Sequence, residues 1–215
     1  MSDPNAPASG SIPYSIGMAS AIRIPIPGTQ GLCIELRPRG AMPKRGSTST
    51  LFFQDVSGRK HLRLDYGYNV QTKTVDYHWN QRGTYETFGI SDHTPIKQLG
   101  AVAYRSTKYF RHAGRVLAIF GVALDIASVV VASRPIRRAS EVTAGWALAW
   151  IGCKTVGPVG ASIGSLGTPL GTAIGGLAGC VIGGYAGYQA GATLGGTIYD
   201  WGDAVFTPLP HAKTQ

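Results

Sequence analysis

Glycine recurs at strict four-residue intervals at Gly167, Gly171, Gly175, Gly179, Gly183, Gly187, Gly191 and Gly195, with Gly160 and Gly164 preceding at the same spacing. Residues i and i+4 share one face of a helix. A glycine inside a helix costs about 0.5–1 kcal/mol relative to alanine, so a run of this length is tolerable only where backbones pack closely enough to offset it. Small-xxx-small contacts between membrane helices provide such packing. Four residues turn a helix by about 400°, so the stripe drifts by roughly 40° per step. Eight steps therefore cannot stay on one partner. The stripe must coil around neighbours or serve different partners along its length, which suits a helical hairpin or an oligomer.

The flanking sequence fits this reading. Thr168-Pro169 reads as an N-cap followed by an N1 proline, so a helix starts there and the preceding one ends near Leu166. From Thr155 to Tyr199 there is no Asp, Glu, Lys, Arg or His in 45 successive residues. Tyr185, Tyr188, Tyr199 and Trp201 are candidate interfacial anchors. Upstream, Val142 to Cys153 forms another apolar segment closed by Lys154, a residue suited to an interface, and a polar joint of Arg137, Arg138 and Glu141 follows the break at Pro135. Residues 116–133 hold a single charge, Asp125. Their helical length of roughly 27 Å is near the lower limit for a bilayer core of about 30 Å. Asp125 has two readings of equal standing: it lines an aqueous path through a pore, or it caps or breaks a soluble helix near the surface. Ahead of this segment, Ile96 to Arg115 reads as a basic amphipathic helix. Leu99, Val102, Ala103, Ser106 and Phe110 share one stripe, while Arg105, Lys108, Arg111 and Arg115 suit docking on an anionic membrane surface.

The first part of the chain reads differently. Residues 1–31 carry Pro4, Pro7, Pro13, Pro25 and Pro27 among Gly, Ser and Ala, which predicts a flexible leader or an edge strand without helix. Residues 32–95 predict a small antiparallel β domain with strands at CIEL, STLFFQDV, HLRLDYGY and TVDYHWNQ. Alternation places Leu62, Leu64 and Tyr66 on one buried face, and Gly67 to Thr74 suits a hairpin loop. The expected fold class is α+β: the sheet, then a helical, membrane-active glycine-zipper domain over 96–205 and a tail over 206–215. With 30 glycines, 44% hydrophobic and only 14% charged residues the chain does not read as disordered. Cys33, Cys153 and Cys180 are odd in number and far apart, and suggest neither a disulfide framework nor a zinc cluster. The simpler reading is synthesis in a reducing cytosol, and no signal peptide is visible.

The net charge of +9 raises nucleic acid as a partner, but the excess lies in residues 1–115, with 15 Lys or Arg against 7 acids. Anionic headgroups or an acidic carrier account for it equally well. His61, His78, His93, Asp65, Asp76 and Asn80 are the polar groups a hydrolase would recruit, with Cys33 a nominal nucleophile. They show no metal-ligand spacing, phosphate loop or nucleophile elbow, so no enzyme activity, metal or cofactor is expected.

LRLDYGY, then DYHWN, then GTPLGTAIGGLAGCVIGGYAGYQAGATLGG together resemble pore-forming antibacterial effectors delivered by the type VI secretion system. The glycine run covers about a seventh of the chain. The resemblance implies manufacture in the cytoplasm, export by a secretion-apparatus carrier, self-oligomerisation in the lipids of the target cell's inner membrane, ion leakage, and a cognate immunity protein. It implies no catalytic residues and no nucleic-acid partner. The alternatives are a soluble or envelope scaffold packed by the zipper, and a basic nuclease-type toxin.

Overall fold

The computed structural model describes residues 9–37, 46–166 and 168–207. Gly167 of the ladder, the start of the leader and the tail from 208 onward lie outside the described residues. Against the expectation of a helix-free leader, Ser11–Ala21 form a helix, α1. Pro13 falls in its first turn, where backbone N–H groups have no intrahelical partner, so the proline removes nothing the helix needs. Ile24–Pro25 then form the short edge strand β1.

The sheet is an antiparallel meander in chain order: β1, β2 (Cys33–Leu36), β3 (Gly46–Gln54), β4 (His61–Asn69), β5 (Thr74–Arg82) and β6 (Thr94–Pro95). The hairpin between β4 and β5 turns on Asn69, whose Oδ1 accepts from the amides of Gln71 and Thr72 at 2.9 and 3.1 Å. Leu62, Leu64 and Tyr66 are buried, as the alternation predicts. Asp65, between them in sequence, is buried too; its carboxylate accepts from Ser49 Oγ and, at 3.1 Å, from Arg63 Nε. A register shift in β3 between Ser49 and Leu51 accompanies this polar inclusion. A single turn of helix, α2 (Tyr85–Phe88), brings Phe88 against Phe53 at 5.3 Å between ring centres.

Three long helices follow. The basic segment and the apolar segment join without interruption into α3 (Lys97–Val131). Pro135 opens α4 (Pro135–Gly164) at its first position, where proline is well placed. Lys154 does not close this helix, which runs on through it; the lysine reaches sideways and donates to the carbonyl of Arg23 at 2.9 Å. Thr168 caps α5 (Pro169–Phe206) as its sequence predicts, accepting from the amide of Gly171 at 3.1 Å.

α4 and α5 form an antiparallel hairpin, and the ladder is its seam. A Cβ placed on Gly171, Gly175, Gly179, Gly183, Gly187, Gly191 or Gly195 would stand 2.2–2.6 Å from a carbonyl oxygen of, respectively, Gly164, Gly160, Val156, Gly152, Leu148, Ala144 and Ser140. Every four-residue step along α5 thus meets a four-residue step back along α4. This corrects the expectation that eight steps exceed one partner: the described steps all face α4. A straight pair would lose this register to the 40° drift, so the two helices wind around each other. The doubled glycines mark a second face: Gly176 abuts Ile34 Cδ1 of the sheet and Gly184 abuts Ser15 and Met18 of α1.

Ile34, Leu51, Phe53, Leu62 and Leu64 belong to the same core cluster as Ala149, Cys153, Ala161 and Cys180. The boundary near residue 95 therefore separates sheet from helices in sequence but not in packing. Cys153 and Cys180, both buried, are joined by a disulfide across the hairpin, contrary to the reading of the cysteines as unpaired; Cys33 is the free one. They stand 27 positions apart in the chain, on either side of the closed end of the hairpin, which folds one onto the other.

Candidate membrane-active site

Among the described residues, α3 and α5 are long and apolar enough to cross a membrane. They differ in how much of that surface the molecule covers. In the most apolar 18-residue stretch of α5 39% is buried; in that of α3 only 22%. Val116, Ile119, Phe120, Ile126, Val130 and Val131 of α3 are each more than half exposed. Transfer of these six side chains from water to lipid is worth roughly 5–10 kcal/mol on area arguments. Ile174, Ile182, Leu194, Ile198 and Trp201 add exposed apolar surface along the outside of α5.

The first half of α3 carries its cations on the outer side. Arg105 and Arg115 are exposed and Lys108 is half-buried, and none of the three makes an ion pair among the described residues. Arg111 departs from its expected docking role: half-buried, it donates through Nη1 to the carbonyl of Ser20 and ties α3 to the end of α1. The outer face of α3 thus passes from basic to bare apolar along one rigid rod. Leu99, Val102, Ala103, Ser106 and Phe110, the stripe read from sequence, line a groove of about 690 Å³ whose opposite wall is Leu170, Ile174, Leu177 and Val181 of α5.

Asp125 is fully buried, which removes the reading of it as a surface cap. Oδ1 accepts from the amide of Gly10 at 2.8 Å and from Tyr188 Oη at 2.7 Å, and Oδ2 accepts from Trp146 Nε1 at 2.8 Å. One carboxylate, near the end of α3, therefore gathers the start of α1 and the interiors of α4 and α5. Both of its oxygens are thus turned toward protein donors and not toward an aqueous path. At the end of the helical layer Arg137 forks onto Asp200 at 2.9 Å, and Arg134 bridges Asp200 and Asp203 at 3.2 and 3.1 Å. This collar joins the α3–α4 turn to the end of α5.

The ladder glycines are brought together as a seam. Sequence reasoning passed over Gly152, which extends the α4 row in the same spacing two steps ahead of Gly160, and over the doubled glycines that signal a second contact face. It also missed α1, and the small residues that seat it.

The polar groups of the sheet do not form one cluster: His78, Asp76 and His93 meet, and His61 lies apart. His61 Nδ1 lies 3.2 Å from the carbonyl of Gly58. His78 pairs with Asp76 at 2.8 Å and stacks on His93 at 5.2 Å. Burial pushes the Cys33 thiol up, against the opposing pull of Arg23 and Lys154, the reverse of an activated nucleophile. Among the described residues no group of three or more His, Cys, Asp or Glu is placed to hold a metal ion. Compared with known proteins, the chain matches no family model, no curated protein and no solved structure at a significant level.

Proposed function

We propose that this protein is a membrane-inserting, pore-forming toxin whose water-soluble form is the arrangement described above. The observation that carries the reading is the outer face of α3, basic over its first turns and bare apolar from Val116 to Val131. A surface of that kind docks on anionic headgroups by its cations and enters lipid by its apolar end. The zipper supplies a rigid companion, because α4 and α5 pack by backbone contact and do not depend on water to hold them together. The resemblance to type VI effectors extends the proposal to export by a secretion carrier, insertion into a target cell's inner membrane, self-association there, ion leakage, and neutralisation by an immunity protein.

One observation favours a scaffold instead: the seam of α5 is already filled by α4 of the same chain, so the glycines are not free to join copies. Vesicles of mixed phosphatidylethanolamine and phosphatidylglycerol, loaded with potassium and a large dextran dye, separate the readings. A pore releases potassium and retains the dextran. Vesicles that hold both would overturn the proposal in favour of the scaffold.

A further inference from the structure

α3 packs chiefly on α1, with far less direct contact to α4. α1 lies between α3 and the hairpin, touching α3 through small residues and the hairpin through Ser15, Met18 and Tyr14. Gly17 faces Ala118, where an added Cβ would meet the Ala118 Cβ at 2.5 Å and its Cα at 2.7 Å. Gly114 sits under Ser20, and Gly121 lies against the amide of Tyr14 and the carbonyl of Gly10. On the other side Gly184 abuts Ser15 and Met18, and Tyr14 stacks on Trp146 at 5.8 Å. Two polar ties fix the ends of α1: Gly10 N–H to Asp125, and the Ser20 carbonyl to Arg111.

The seat is shaped for release. The hydroxyls of Ser15 and Ser20 are buried but donate within α1, to the carbonyls of Ser11 and Gly17, so they place no demand on α3 or α5. If α1 leaves, Asp125 keeps Trp146 and Tyr188 as donors. An 11-residue helix is marginal by itself and stands at the low-stability end of a fold. The face of α3 that α1 covers, Gly114, Ala118 and Gly121, is small and uncharged, so uncovering it adds no charged side chain to the apolar surface of α3.

We propose that α1 is a removable wedge that holds α3 in the water-soluble arrangement, and that its displacement is the step that frees α3 for lipid. The proposal rests on the membrane reading and adds its regulation: an internal segment, not the zipper, controls insertion.

Two variants of the full chain act in opposite directions. Gly17→Val overpacks α1 against the backbone of α3 and raises the initial rate of potassium release from the same vesicles by roughly tenfold. Ser15→Cys with Gly184→Cys, in a Cys33→Ser background, staples α1 to α5; a Cβ on Gly184 lies 3.2 Å from Ser15 Cβ, near the span a disulfide takes. The stapled protein releases nothing until dithiothreitol is added, with wild type under the same reductant as control for Cys153–Cys180. A stapled protein that leaks as fast as wild type, or a folded Gly17→Val protein that leaks no faster, overturns the wedge while leaving the pore reading intact. If wild type is inert, the membrane reading fails and hydrogen exchange without lipid decides the wedge. Faster exchange of residues 114–131 in Gly17→Val supports it, and unchanged exchange overturns it.

Discussion

Gly175→Ala and Gly202→Ala are the same substitution in the same helix, and the structure gives them opposite signs. In a helix interior alanine is favoured over glycine by about 1 kcal/mol. At Gly202 an added Cβ meets nothing within 4 Å, so that preference is gained in full and the variant is more stable by about 0.5–1 kcal/mol. At Gly175 the Cβ would stand 2.2 Å from Gly160 O and 3.0 Å from its carbonyl carbon. Those are backbone atoms on a long helix and cannot rotate aside, so α4 and α5 must part by about 1 Å, forfeiting a quarter to a half of the dispersion energy at neighbouring contacts. Overpacking costs about 1–3 kcal/mol, to which the loosened seam adds, and the propensity gain offsets only part. The net expectation is a loss of about 2 kcal/mol, and a difference of about 3 kcal/mol between the two variants. Guanidinium unfolding followed by circular dichroism, with the disulfide intact, reads this as midpoints moving in opposite directions at constant slope. If both variants are stabilised, the glycines are not a packing seam and the account of the hairpin is wrong.

Asp125→Ala strands three donors, the Gly10 amide, the Trp146 indole and the Tyr188 hydroxyl, at a buried junction. The expected loss is about 3 kcal/mol or more in the same unfolding assay, with a red shift of tryptophan emission, and a loss below about 1 kcal/mol contradicts the junction. The amide of Gln81 donates to Asp92 at 2.9 Å and holds its carboxyl below the usual range. A depressed carboxyl contributes stability above its unfolded value of about 3.9 and loses it as pH falls through the folded one. The β5–β6 end therefore loosens only below about pH 4, seen as an inflection in the Gln81 amide resonance; an inflection above the unfolded value refutes the pairing.

What the sequence showed followed how local each signal was. The strands were legible because Leu62, Leu64 and Tyr66 alternate with period two. The start of α5 was legible because Thr168 and Pro169 act within one turn. The ladder was legible as a face, and coiling in a helical hairpin was one of its two outcomes; that a single partner, α4, takes every described step was not legible, because spacing alone does not tell one coiled neighbour from several. α1 was hidden because small residues chosen to fit a narrow seat have the composition of a linker, and because Pro13 deters helix only if it lies beyond the first turn. The three donors to Asp125 come from positions separated by long stretches of chain, and only the packed fold brings them together. The cysteine pairing was within reach: folding the chain back at Thr168-Pro169 lays Cys180 over Cys153.

That pairing has a mechanical meaning. A covalent tie from the middle of α4 to the first third of α5 makes the two helices one lever, closed by the loop at one end and by the arginine–aspartate collar at the other. While the tie persists, no rearrangement can send one of them through a bilayer and leave the other behind. Of the long helices, α3 is the one with an independent trajectory.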